Sequence, residues 1–155
     1  RRQRQMCIRD RQYLTILTNN DYRQKFGYDK PNMSVRAAAI NCGASFLNLP
    51  GTIEGAPKAY FTDTVLENKM DMLLTEKYIT PAIPPLFLTT ANQDFIRDCT
   101  VRLDGFLRAK HIEHEFRTYG TPEEPKGHVF NYNIKDPIAT ACNLEILAFF
   151  KQYIA

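Results

Sequence analysis

Residues 85–90, PLFLTT, constrain the fold of this chain more than any other stretch. Apolar side chains there do not alternate with polar ones, so a strand built from them is covered on both faces. That is the pattern of a strand inside a parallel sheet, whereas a half-solvated antiparallel strand would alternate. Pro81, Pro84 and Pro85 close the loop in front of it. Two other segments read as strands. SVRAAAINC, residues 34–42 with its core at about 35–42, is a compact apolar run between a polar loop and Gly43. HEFRTY occupies residues 114–119.

Helical periodicity fills the intervals. Tyr13, Leu14, Ile16 and Leu17 form the apolar side of a short helix from Gln12, which frays into Asn19-Asn20-Asp21 and a stretch ending at Gly27. Val65, Leu66, Met70 and Leu73 share a face of a helical region over about residues 59–74. Ile96, Cys99, Leu103, Phe106 and Leu107 recur at steps of three and four and predict a helix ending near Lys110. Asp136 is a good N-cap with Pro137 at the first helical position, and Ile138, Cys142, Ile146, Phe149 and Tyr153 mark the inner face of a final helix. Strand alternating with helix implies an α/β fold, a parallel sheet covered on both faces, within one domain.

Charge and cysteine usage exclude several function classes. The formal charge of +3 depends on RRQRQMCIRDR, residues 1–11, which holds five arginines and one aspartate. The remainder carries 15 basic against 16 acidic residues, so a nucleic-acid footprint would rest on those eleven residues alone. Cys7, Cys42, Cys99 and Cys142 form no Cys-x-x-Cys pair, which argues against a zinc or disulfide framework and suits reduced thiols in a cytoplasmic protein. No run approaches the roughly 18 apolar residues of a membrane span, and no apolar segment follows the basic start as a signal peptide requires.

In a parallel sheet, ligands gather beyond the C-terminal ends of the strands. The loops leaving those ends follow Cys42, Thr90 and Tyr119; the second carries Asp94 and the third His128. Adjacent parallel strands bring these loops together, so Asp94 can hold the His128 imidazole in one tautomer while it works as a general base. The alternative from placement alone is a turn-capping Asp94 and a surface His128. His111 and His114 lie at the opposite end of their strand and read as structural or solvated. Asp98 reads as the cap of the following helix, Glu123-Glu124 as solvated loop, and Cys42 and Cys99 as inert core thiols. Ser45 lacks the second glycine of a nucleophile elbow, and no glycine-rich phosphate loop is present.

The stretch Pro84-Pro85-Leu86-Phe87-Leu88-Thr89-Thr90-Ala91-Asn92-Gln93-Asp94-Phe95-Ile96-Arg97-Asp98 resembles the strand and acid loop of α/β-hydrolases of the hormone-sensitive-lipase-like esterase group. There a Pro-Pro-led strand precedes an Asp-x-x-x-Asp loop whose first Asp is the triad acid. Gly127-His128-Val129-Phe130 is similar to the Gly-His-x-Phe loop that supplies the triad histidine. By this resemblance, residues 36–43 are the strand after the nucleophile helix and residues 44–80 the excursion before the acid strand. It covers residues 12–154 and implies a C-terminal portion of an α/β-hydrolase. The implied substrate is a small-molecule ester and the implied catalytic residues are Asp94 and His128, with no cofactor, no metal, no nucleic acid and no membrane span.

One departure bears on activity. The family's Gly-x-Ser-x-Gly elbow and oxyanion loop are absent from the sequence, and the triad order Ser, Asp, His puts them N-terminal to it. The expectation is an isolated chain that is inactive and folds poorly along a cut sheet edge. Prolyl-oligopeptidase-like and acetyl-ester hydrolases share this fold and triad order, and a catalytically dead binding protein of the same fold is the reading from another class. Residues 1–11 fit nothing in the resemblance. Residues 1–10 back-translate as CGT CGG CAG CGT CAG ATG TGT ATA AGA GAC, which looks like an adapter of transposase-based sequencing libraries, with Arg11 beginning on its last bases. The expected organisation is a non-native leader, 1–11, followed by hydrolase sequence, 12–155.

Overall fold

The computed structural model describes residues 3–53, Lys58 and residues 63–154. Its sheet has the order β1 (Ala38–Asn41), β2 (Leu86–Ala91), β3 (His114–Tyr119), all parallel. Ala38 pairs with Leu86, and Leu86 pairs with His114, so the three strands start level. Every residue of β2 is buried, as its unbroken apolar run predicts. Leu86 and Leu88 face one side with Leu14 of α1 (Gln3–Thr18) and with Leu103 and Leu107. Phe87 and Ala91 face the other, against Ala139, Cys142, Ile146 and Phe149. The sheet is thus sandwiched between α1 and α4 (Arg97–Ala109) on one face and α5 (Pro137–Lys151) on the other.

The helix α4 buries Cys99, Leu103 and Leu107, the stripe read from the sequence. In α5 the Asp136 side chain accepts the Ile138 N–H at 2.9 Å, and Pro137 occupies the first turn, where a missing N–H costs nothing. The helix α3 (Asp63–Leu73) is followed by a single 3₁₀ turn, Thr75–Tyr78, and Leu73 and Leu74 pack with Ala44, Leu47, Ile96 and Cys99. Residues 59–62 of the expected helical region lie outside the described residues. No helix among the described residues is long and apolar enough to cross a membrane.

Three local expectations are corrected. The helix expected from Gln12 starts at Gln3, and the polar stretch after it folds as α2 (Asn20–Phe26). Asn19, expected as part of a frayed end, is the N-cap of α2: its side chain accepts the Tyr22 N–H at 2.8 Å. Gly27 ends α2 at φ 71°, in the left-handed region that glycine enters without Cβ strain. The strand expected at about 35–42 is ordered as a strand only over Ala38–Asn41. Its partner begins after Pro84-Pro85, which have no N–H to extend the ladder, so pairing starts where the Ala38 N–H meets the Pro85 carbonyl at 3.0 Å. Asp98 is not the cap of α4; it lies in the first turn, and Ile96 stands at the N-cap without a side-chain bond.

Candidate acid–base site

The three loops at the C-terminal ends of the strands converge on one cluster. Side-chain ligand atoms of Cys42, Asp94 and His128, one from each loop, lie within 4.8 Å of one another. The central contact joins His128 Nδ1 and Asp94 Oδ1 at 2.8 Å. The Asp94 side chain is fully buried and that of His128 is 12% exposed, so the carboxylate sits beneath an imidazole whose edge reaches the surface. Placing the proton of a neutral imidazole on Nδ1, where an ionised carboxylate can accept it, leaves the lone pair on Nε2.

Local backbone geometry explains why the acid stands where it does. After β2 the chain turns immediately, with the Asp94 N–H donating to the Ala91 carbonyl at 3.1 Å and the Arg97 N–H to the Asp94 carbonyl at 3.0 Å. This turn drives the carboxylate inward, where Oδ2 accepts the Thr90 hydroxyl at 3.0 Å and Oδ1 also accepts the Ile96 N–H at 3.1 Å. Burial by itself pushes the Asp94 pKa up. The His128 bond, the Ile96 N–H and the Cys42 thiol outweigh it and hold the carboxyl below its ordinary value.

The histidine loop is held against the acid loop by Asn92. Its backbone N–H donates to the Tyr119 carbonyl at 2.9 Å, its Nδ2 donates to the Thr121 carbonyl at 2.8 Å, and its Oδ1 accepts the Lys126 N–H at 2.9 Å. The Gln93 N–H donates to the Lys126 carbonyl at 2.9 Å, so the loops make a short parallel bridge between Gln93 and Gly127 just before His128. Gly120, at φ 88°, passes so close to Asn92 that a Cβ would collide with its side chain. Lys126 Nζ bridges to Asp136 at 2.6 Å and Glu124 at 3.0 Å, tying the loop to the start of α5. Phe95 lies over the imidazole with ring centroids 4.6 Å apart and planes tilted by 47°.

Asp94 and His128 are therefore brought together. The other histidines are not part of the cluster. His114 Nδ1 donates to the Ile112 carbonyl at 2.7 Å and its Nε2 lies 3.0 Å from an Asp104 carboxylate oxygen, a link between α4 and the start of β3. His111 is exposed at the turn before β3. Glu123 and Glu124 are exposed, as expected of a solvated loop. Cys42 is buried, but the reading of it as a core thiol alone is incomplete, because it touches the acid–histidine pair. Thr90, Asn92 and Lys126 carried no individual signal in the sequence. Only the position of Asn92 one residue past a strand end, where a side chain can cap a neighbouring loop, could have pointed to it.

No protein-family model matches the chain, and no curated protein sequence matches it. Solved structures do. The esterase B of Lactobacillus Rhamnosis (HN001) superposes with a TM-score of 0.72 at 19% identity, over 92% of this chain and 48% of that one. The carboxylesterase Cest-2923 of Lactobacillus plantarum WCFS1 gives 0.67 at 14% identity, over 92% and 54%. A lipase/esterase from Lactobacillus plantarum gives 0.65 at 14% identity, over 93% and 52%. The chain spans about half the length of these proteins. At these identities the likeness speaks to the fold alone, and that fold agrees with the parallel α/β architecture expected from the sequence.

Proposed function

We propose that this chain carries the acid and the general base of a serine-type carboxylic ester hydrolase, as a C-terminal portion whose nucleophile and oxyanion hole lie upstream. The observation that carries the reading is the 2.8 Å bond between the buried Asp94 carboxylate and His128 Nδ1, at the C-terminal edge of a parallel sheet shared with solved esterases. In the complete enzyme, His128 Nε2 takes the serine proton as the hydroxyl attacks the ester carbonyl and returns it to the departing alcohol. Asp94 fixes the tautomer and stabilises the imidazolium that forms. Serine and backbone N–H donors for the oxyanion come from the Gly-x-Ser-x-Gly elbow and the oxyanion loop. The substrate class is a small-molecule ester, and the chemistry calls for no cofactor.

The same reading assigns residues 1–11 as a leader foreign to the hydrolase and the reduced, buried Cys42, Cys99 and Cys142 to a cytoplasmic setting. Sequencing the source DNA across residues 1–11 tests the leader; codons other than those of the adapter remove that assignment. The functional test is turnover of a short-chain nitrophenyl ester. The purified chain gives none above buffer, and the protein encoded by the uninterrupted reading frame turns over and loses about 10³-fold or more in kcat on His128→Ala. Turnover by the 155-residue chain that disappears on His128→Ala, or a complete protein indifferent to that change, overturns the proposal.

A further inference from the structure

Cys42 stands at the end of β1, opposite both members of the acid–histidine pair, and its side chain has no solvent exposure. Its Sγ accepts the Val129 N–H at 3.2 Å, and Val129 follows His128 directly. Its Sγ also lies within 4.8 Å of a carboxylate oxygen of Asp94 and of a His128 imidazole nitrogen. The Cys42 N–H donates to the Thr89 carbonyl at 2.8 Å, which anchors it on the strand that leads to Asp94. Both ends of the Cys42–Val129 contact are in the left-handed region, at φ 50° and φ 51°. For a β-branched valine that is a costly conformation, and it persists only where surrounding contacts over-determine it. Two of the four non-glycine residues with positive φ among the described residues thus meet where the β1 loop touches the histidine loop. Gly43 follows because a Cβ there would collide with Ile40.

We infer that Cys42 is a positioning residue of the acid–histidine pair, its thiol acting as a two-way hydrogen-bond bridge between the Asp94 carboxylate and the Val129 N–H. This deepens the proposed function and rests on it. A thiol suits the place because sulfur is large enough to span both loops from a strand end and is a weak enough donor to leave Asp94 ionised as the acceptor for His128. Alanine at position 42 removes both bonds at once and frees the histidine loop to move away from the carboxylate. Serine keeps a donor and an acceptor there. Cys42 acts only through its neighbours, since its full burial keeps it from substrate.

Nitrogen-15 NMR of the imidazoles in the full 155-residue chain tests this. His114, bonded to Asp104 at the far end of β3, is an internal reference for the fold in the same spectrum. The expected result is a slowly exchanging, low-field Nδ1–H signal of His128 in the wild type. That signal is lost, with a shift towards the Nε2–H tautomer, in Cys42→Ala and retained in Cys42→Ser, while His114 is unchanged in both. A His128 signal in Cys42→Ala indistinguishable from wild type overturns the role of Cys42 and leaves the acid–histidine reading standing. A wild-type His128 in the Nε2–H tautomer overturns that reading and this inference with it. Should Cys42→Ala also move His114, the serine variant decides: loss of the His128 signal there overturns the bridge, and its retention upholds it.

Discussion

Replacing Asn92 by alanine isolates the contribution of the clamp that holds the histidine loop to the acid loop. Two side-chain bonds disappear, to the Lys126 N–H at 2.9 Å and from Nδ2 to the Thr121 carbonyl at 2.8 Å. The Lys126 N–H is partly buried, so leaving it without a partner costs about 1–2 kcal/mol, while the exposed Thr121 carbonyl regains water and loses about 0.5 kcal/mol. The sum is about 2 kcal/mol of folding free energy. With a urea m-value of about 2 kcal/mol per molar, typical of small domains, the unfolding midpoint should fall by about 1 M with an unchanged slope. The variant Asn92→Asp keeps the acceptor for the Lys126 N–H and loses only the donation to Thr121, so its midpoint should fall less than that of alanine. Urea titration followed by far-UV circular dichroism reads both. Equal midpoints for wild type and Asn92→Ala, or a larger loss in the aspartate variant, would refute the assignment of Asn92 as the clamp.

Three further outcomes follow from the geometry. Because the Asp94 carboxyl is held below its ordinary value in the folded state, it contributes stability that is complete above the unfolded carboxyl pKa of about 3.9 and is lost as pH falls through the lower folded value. Urea midpoints measured downward from pH 5 should therefore decline in the wild type and decline less in Asp94→Asn; parallel declines contradict the shift. Phe87→Ala, which empties a fully buried ring site packed 5.3 Å from the Phe149 ring centroid, should cost about 3–5 kcal/mol, read in the same titration. Asp104→Asn should alter the His114 imidazole signals and leave those of His128 in place, since the two pairs lie at opposite ends of β3; a matching change at His128 argues against two independent pairs.

The layered sheet was legible because it depends on burial, which periodicity reports directly. The unbroken PLFLTT run and the three-and-four spacing of Cys99, Leu103 and Leu107 each allow one packing only. The contact between Asp94 and His128 was legible through sheet topology, because it follows from the pairing of β2 with β3. What escaped depends on hydrogen bonds between segments distant in sequence. Asn19 read as a breaker, yet its side chain starts α2, because a capping asparagine and a loop asparagine look the same until the next turn forms. The length of β1 was overestimated because the missing N–H groups belong to its partner's Pro84 and Pro85. Cys42 and Asn92 act across 87 and 34 positions of chain, and no local pattern records such contacts.

The proposed role of His128, held by Asp94, is to serve as the base for a nucleophilic serine. Treating the protein from the uninterrupted reading frame with a fluorophosphonate and locating the adduct by mass spectrometry tests it most directly, because only an activated serine reacts quickly. One modified serine is expected, within a Gly-x-Ser-x-Gly sequence N-terminal to this chain, with labelling slowed by orders of magnitude in His128→Ala and substantially in Asp94→Asn. Labelling that proceeds at the wild-type rate in His128→Ala, or an unmodified protein, would contradict it.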